Sequence, residues 1–256
     1  MRDFMQQALR FVSWLLACAG AYLALCLEAL GESPCLARNP ARRTLLRQIY
    51  FTGIEPLPLL TVLGLVTGYA AAAALNGVLM GGMALTIDVF RALVVREASL
   101  LLVAFFLLAR SGSAIASELA SARQQGELRT LYSLGIDPVA YLVAPRVVAL
   151  ILCVAALGVY FQVAAVFGGF ALMSIFGNWD YFLAIGKFAE GLDGWASAVM
   201  IGKTMVFGAI IGTVCCQQGM TAVPGPLGVP GATRTGMIHS FTAIVLGDAV
   251  FVAFFG

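Results

Sequence analysis

Residues 145–175 read PRVVALILCVAALGVYFQVAAVFGGFALMSI, an apolar run whose single charged side chain, Arg146, lies at its start. A helix needs about 20 predominantly apolar residues to cross the hydrocarbon core of a bilayer, and this run is long enough. An open sheet could not satisfy its backbone hydrogen bonds in hydrocarbon. The run is therefore predicted to be a membrane-spanning helix.

The composition of the whole chain agrees with that prediction. Of the 256 residues, 61% are hydrophobic and 11% are charged, whereas soluble domains have roughly 45–50% and about 25%. So few polar side chains cannot cover a globule in water, which excludes a soluble enzyme and indicates an integral membrane protein. The net charge of +2 gives no reason to expect a nucleic-acid partner.

Apolar runs of helical length recur along the chain and predict an all-α integral membrane protein. We expect about five transmembrane helices, at residues 57–83, 98–116, 145–175, 195–217 and 237–255. They form a transmembrane domain over residues 51–256, after an N-terminal segment of residues 1–50.

The N-terminal segment contains a shorter apolar run, Phe11 to Leu27, which is at the lower length limit for a span. An arginine-rich stretch follows the run, so we predict an N-terminal interfacial helix lying in the membrane surface. A true span and a signal peptide are the alternatives.

The distribution of basic residues predicts the orientation of the chain. Eleven of its 15 Lys and Arg fall in residues 1–56, 110–146 and 218–236, and the positive-inside rule places these segments in the cytoplasm. The connections at 84–97 and 176–194 are not enriched in positive charge and are predicted to lie outside.

A polar segment follows the second span and contains GSAIASEL (112–119) and LYSLGIDPVAYLVAPR (131–146). Leucines alternate there with charged residues, which predicts a short cytoplasmic amphipathic helix at about 118–136. Gly135 can end that helix in a left-handed conformation, and Asp137 with Pro138 can begin the next one. The helix is either a coupling helix that receives force from a cytoplasmic motor or an ordinary solvated loop helix.

These segments resemble the MlaE-type (YrbE-type) permease family, the membrane subunits of ABC lipid transporters that work with MCE proteins. The likeness extends from LLRQIYFTGIEPLPLL (45–60) through GKTMVFGAIIGTVCCQQG (202–219) to PLGVPGATRTGMI (226–238). It covers residues 45 to 256 in one colinear order. The chain departs from the family at Gly126 and Arg129, where carboxylates are usual.

The resemblance implies a phospholipid permease in the bacterial inner membrane that pairs with a second copy of itself. A separate cytoplasmic ABC ATPase would hydrolyse ATP with Mg, and a periplasmic MCE-domain protein would exchange lipid with the permease. This chain would be non-catalytic and carry no cofactor. The residues expected at the ATPase contact are Glu118, Arg123, Glu127, Arg129, Leu131, Leu134 and Gly135.

Charged side chains inside predicted spans are the candidates for a lipid cavity and its gating, because each costs about 2.5–3.5 kcal/mol near a helix centre. They are Arg96 and Glu97 at the outer end of the second span, Lys203 in the fourth and Asp248 in the fifth. The first two could instead be anchors that extend to the headgroups, and the last two a buried structural pair. An ion-coupled secondary transporter that uses Asp248, Lys203 and His239 as a proton relay is the alternative function.

No metal or nucleotide site is expected in this chain. The six cysteines lack metal-binding spacing, and the single histidine has no partner at such spacing. Gly202-Lys203-Thr204 copies the end of a P-loop, but Ser197 replaces its first glycine and the stretch is an apolar span.

Overall fold

The structure, a computed structural model, describes residues 22, 24–25, 39–78, 82–176, 179–191 and 193–255. Every regular element in this part of the chain is helical, which confirms the all-α prediction. The α-helices are α1 Asn39–Ile49, α2 Leu57–Val78, α3 Gly82–Phe90, α4 Ser99–Leu107, α5 Ser113–Gln124, α6 Glu127–Ser133, α7 Ala144–Val163, α8 Gly169–Phe176, α9 Tyr181–Glu190, α10 Gly194–Met220 and α11 Gly228–Phe255. The predicted interfacial helix at Phe11–Leu27 falls almost entirely outside the described residues.

Short π-helical turns join several of these helices end to end, so that five long helices are apolar enough to cross a membrane. This confirms the predicted number of spans within the described residues. We call these helices span 1 to span 5, and they cover Thr44–Val78, Gly82–Gln124, Val139–Phe176, Gly194–Met220 and Gly228–Phe254.

Two predicted connections are wrong in part. Residues 84–97 are helical and belong to span 2, and span 5 begins at Gly228 instead of residue 237, so it takes up part of the connection predicted at 218–236. The predicted connection 176–194 does lie between spans 3 and 4 and contains α9, which Asp180 caps by accepting hydrogen bonds from Phe182 N and Leu183 N. Pro230, the third residue of span 5, does not break the helix. The first four N–H groups of a helix have no intrahelical acceptor, so the N–H that proline lacks is not needed there.

Span 4 lies at the centre of the bundle and packs against spans 2, 3 and 5. Span 1 packs against span 3, with α1 against α7 and α2 against the second half of span 3. Glycines make the closest approaches possible. A Cβ on Gly208 would lie 2.7 Å from the Ile151 Cα, and a Cβ on Gly68 would lie 2.1 Å from the Ala165 carbonyl oxygen. The small-residue spacing noted in many membrane helices therefore serves backbone contact here.

The two ends of the bundle differ in chemistry. We call the end formed by residues 44–55, 110–146 and 218–236 the basic end, and the end formed by residues 82–97, 179–191 and 193–194 the opposite end. The opposite end is held by an aromatic cluster, in which the Phe170 ring lies 5.4 Å from Phe90 and 6.0 Å from both Trp179 and Phe188. This cluster packs α9 against the start of span 2 and the end of span 3.

Candidate functional site

Three of the predicted charged residues meet in one buried cluster. Lys203 Nζ of span 4 lies 2.5 Å from Glu97 Oε2 of span 2 and 2.6 Å from Asp248 Oδ1 of span 5. The Lys203 side chain is 5% exposed, so water does not separate these charges. The predicted Lys203–Asp248 pair is present, and Glu97 completes it into an ion cluster that ties three spans together.

Arg96 and its neighbour Glu97 both line a void of about 20 Å³ beside Lys203, and Arg96 also lines a much larger cavity. Residues 91–98 form a π-helical segment. Its Val95 carbonyl accepts side-chain hydrogen bonds from Ser99 Oγ at 2.8 Å and from Gln162 Nε2 at 3.0 Å.

The larger cavity has a volume of about 630 Å³ and lies between spans 2, 3 and 4 toward the opposite end. Most of its wall is apolar, with Val95, Leu100, Val159, Val163, Val166, Phe167, Met200 and Ile201. Polar groups lie at its outer part, namely Asp88, Arg91, Arg96 and Asp193. An apolar chamber with a charged outer part suits a ligand that has an apolar body and a polar head.

Arg91 is held over this outer part by three contacts. Its guanidinium pairs with Asp88, lies 6.0 Å from the centre of the Phe188 ring, and occupies the space that a side chain at Gly191 would need. Arg91 and Gln162 are not among the site residues that the sequence predicts. Arg91 is a charge next to an apolar run, but the sequence predicts a connection at 84–97.

The predicted coupling helix at 118–136 consists of two helices, the end of α5 and all of α6. Gly126 separates them with φ +78°, a left-handed conformation that glycine adopts at no steric cost. Gly135 ends α6 with φ +72°, and the Ile136 amide donates to the Leu131 carbonyl at 3.0 Å, so the predicted left-handed cap is confirmed.

The predicted coupling residues differ in their contacts and exposure. Glu118 pairs with Arg146 at 3.0 Å, Arg123 donates to the Met220 carbonyl, and Glu127 and Arg129 are exposed on α6. Leu131 is half-buried, whereas Leu134 is 67% exposed. Its neighbour Tyr132 is 63% exposed, and sequence reasoning did not select it.

The end of α5 is also connected to the loop between spans 4 and 5. Gln124 Nε2 donates to the Gly225 carbonyl at 2.7 Å, and a Cβ on Gly219 would lie 2.7 Å from the Leu119 Cβ. These contacts join α5 to span 4 and to the loop that precedes span 5.

His239 does not join the ion cluster. It lies nine residues before Asp248 on span 5, which corresponds to about 13 Å along a helix and to the opposite helix face. Its Nδ1 lies 3.0 Å from the Tyr22 hydroxyl, which also accepts a hydrogen bond from Gln218. The relay proposed from Asp248, Lys203 and His239 is therefore not assembled in this structure.

No metal centre is evident in the part of the chain that the structure describes, because no three His, Cys, Asp or Glu side chains come together there. The site thus consists of an ion cluster, an amphiphile-sized cavity and an exposed helix pair at the basic end. In a multi-pass helical protein this combination suits a transport permease.

Comparison with known proteins identifies the family. The sequence model of the family described as Permease MlaE matches residues 45–254, so the chain belongs to the MlaE permease family. A probable ABC transporter permease protein of Rickettsia prowazekii is 28% identical over 225 residues, covering 82% of each chain. One from Synechocystis is 30% identical over 180 residues, covering 70% of this chain and 64% of the relative. The chloroplastic protein TRIGALACTOSYLDIACYLGLYCEROL 1 of Arabidopsis thaliana is 30% identical over 164 residues, covering 62% and 46%.

Proposed function

We propose that this ABC transporter permease moves phospholipid between the inner membrane of a bacterium and an extracytoplasmic MCE-domain protein, driven by a separate cytoplasmic ATPase. The observation that carries the proposal is the 630 Å³ cavity, whose apolar wall ends at Arg91 and Arg96. Apolar side chains suit acyl chains, and an arginine offers up to five N–H donors to a phosphate.

The ion cluster would set the relative positions of spans 2, 4 and 5 during the cycle. Lys203 borders the small void that Arg96 also lines, so a shift of span 4 would move both the cluster and the wall of the cavity. The hydrogen bonds from α5 to Met220 and Gly225 support a route by which a motor docked at the basic end moves span 4.

A second copy of the chain is part of the proposal. Spans 1 and 5 have the lowest buried fractions among the five, at 22% and 11% of their most apolar windows. Large apolar side chains cover them, including Val62 and Val66 on span 1 and Phe241 on span 5. In a bilayer such faces suit either lipid or a closely packed second copy.

The cargo is tested with Arg96→Ala in a complex reconstituted with its ATPase and MCE partners. Transport of a labelled phospholipid should fall about tenfold or more at unchanged complex yield, because a charge-assisted hydrogen bond to phosphate is lost. Arg96→Lys should restore part of the activity, since it keeps the charge but loses the bidentate geometry.

Lys187→Ala is the matched control, because Lys187 lies at the same end and does not line the cavity. Normal transport by Arg96→Ala at normal yield would exclude Arg96 from the cargo path. Equal losses of transport and of assembled complex would instead identify Arg96 as a structural anchor.

Motor coupling is tested with Leu134→Asp. The side chain is 67% exposed, so the change costs the isolated permease little, but a charge buried in an apolar contact with the ATPase would cost several kcal/mol. Co-purification of the ATPase and transport should fall together while membrane insertion stays normal.

The same substitution at Leu183, which is 51% exposed on α9 at the opposite end, should leave ATPase binding unchanged. Full ATPase recovery and full transport with Leu134→Asp would mean that α6 is a solvated loop helix and that the motor docks elsewhere.

A further inference from the structure

A second cavity, of about 590 Å³, lies at the basic end and is separate from the cavity proposed for cargo. It is enclosed by α1 and the turn after it, by the end of span 2 with α5, and by the start of span 3. Its charged and aromatic lining consists of Arg47, Phe51, Glu55, Arg110, Glu118 and Arg146. Three guanidinium groups and two carboxylates leave it with a net positive charge.

Its depth relative to the membrane follows from where the apolar runs stop. Glu55 immediately precedes the uncharged part of span 1, Arg110 follows the uncharged residues 98–109 of span 2, and Arg146 precedes the uncharged residues 147–176 of span 3, whose helix begins at Val139. Three spans thus change from apolar to charged at this cavity. That level corresponds to the headgroup region of the leaflet, where phospholipid phosphates lie.

The arginines keep donors available in addition to their ion pairs. Arg110 Nη2 lies 2.9 Å from Glu55 Oε1, and each partner is at least one-third exposed, so most of the N–H groups of Arg110 are not committed to this carboxylate. Arg47 is exposed, and its guanidinium carbon lies 5.6 Å from the centre of the Phe51 ring. A stacked guanidinium of this kind still presents its edge to an anion.

Arg146 adds a deeper positive charge. Its side chain is 13% exposed and pairs through Nη2 with Glu118, which is 59% exposed. Its Nε and Nη1 are buried and find no hydrogen-bond partner among the described residues. Buried donors are normally paired, so a positive charge that is only partly compensated stands at the inner wall.

We propose that this basic-end cavity binds the phosphate of an anionic phospholipid from the adjacent leaflet, held by Arg47 and Arg110 with Arg146 behind them. The acyl chains would run along the exposed apolar faces of spans 1 and 2. A free phosphate shares the recognised chemistry, but the position of the cavity at the end of three apolar runs favours a lipid. The inference does not depend on phospholipid being the transported cargo.

Native mass spectrometry of the full chain, released from nanodiscs containing phosphatidylglycerol, tests the proposal. All variants carry Arg96→Ala, which weakens lipid retention by the cargo cavity. Arg47→Gln and the double variant Glu55→Gln with Arg110→Gln should each lower phosphatidylglycerol retention about tenfold. The double variant removes the cation without leaving an unpaired carboxylate. Arg234→Gln, an exposed arginine at the same end outside the cavity, should retain lipid normally.

Equal retention of phosphatidylglycerol by all these variants would overturn the proposal. If the double variant fails to fold, Arg47→Gln still tests the proposal, because Arg47 lies on the surface. Retention of diacylglycerol as strong as that of phosphatidylglycerol would show that phosphate is not recognised. Displacement of phosphatidylglycerol by inorganic phosphate, with binding of the free ion in calorimetry, would replace the lipid by a soluble phosphate ligand. A loss of transport in Arg96→Ala would be a result about the cargo cavity, and it would not change the conclusion about the basic-end cavity.

Discussion

Replacement of Lys203 by methionine should destabilise the bundle strongly while preserving side-chain volume. Lys203 is 5% exposed at the side chain and contacts both Glu97 and Asp248. Methionine fills similar space but provides no positive charge. Two carboxylates then remain in a largely water-free site with no cation between them.

The magnitude follows from the geometry. Both carboxylate oxygens lie within hydrogen-bonding distance of one nitrogen, so they are at most about 5 Å apart. Two like charges at that separation repel by about 3 kcal/mol at an effective dielectric constant of about 20. Glu97 is 29% exposed, which screens part of this repulsion, but the lost attraction to Lys203 adds to it. We expect a loss of about 3–5 kcal/mol, as is typical when one partner of a buried pair is removed.

Buried cysteines provide the assay. Cys153, Cys215 and Cys216 are free and buried, so a thiol-reactive dye reaches them only when the bundle opens. With the three N-terminal cysteines replaced by serine, the midpoint of dye labelling on heating should fall by about 10 °C in Lys203→Met.

The matched control removes all three charges together, as Glu97→Gln, Lys203→Met and Asp248→Asn. This variant should lie close to the wild type in stability, because replacement of a whole buried ion cluster by neutral groups is often nearly neutral. Wild-type stability of the single variant would refute the reasoning, and so would a triple variant as unstable as the single one.

Two further predictions concern packing and orientation. Gly68→Ala should destabilise the bundle by about 1–3 kcal/mol, because its Cβ would overlap the Ala165 carbonyl, whereas Gly77→Ala on the same helix meets open space and should be neutral in the dye assay. Equal stability of the two variants would contradict the close contact between spans 1 and 3. In a cysteine-free background, Ala189→Cys at the opposite end should react with an impermeant thiol reagent added outside the cell, and Gln125→Cys at the basic end should not. The reverse labelling pattern would invert the predicted topology.

Membrane helices were predictable here because the signal is one-dimensional. Each span must present about 20 apolar residues to lipid, and that requirement is visible in any single segment. The same holds for the cap at Gly135 and the start at Asp137, where the backbone conformation depends on adjacent residues. Both local predictions agree with the structure.

Boundaries failed where charged residues occur inside a helix. Residues 84–97 contain four charges and were expected to be a connection, yet Asp88 pairs with Arg91 and Glu97 pairs with Lys203. A charge that finds its partner on its own helix or on another one needs less water. Hydropathy along one segment cannot register that compensation.

The chain by itself determined the class of protein, the number of spans and the residues that had to be compensated inside the membrane. These properties follow from the cost of placing each side chain in lipid, which depends on its own chemistry. The tertiary structure decided that Glu97 joins Lys203 and Asp248, that Arg96 lines a cavity, that His239 is apart from the cluster, and that three arginines share a cavity at the basic end. Those arrangements depend on which helices pack together and on the rotation of each helix about its axis. Close glycine contacts, such as Gly68 with Ala165 and Gly208 with Ile151, fix the packing partners and the rotation, and such contacts exist only in three dimensions.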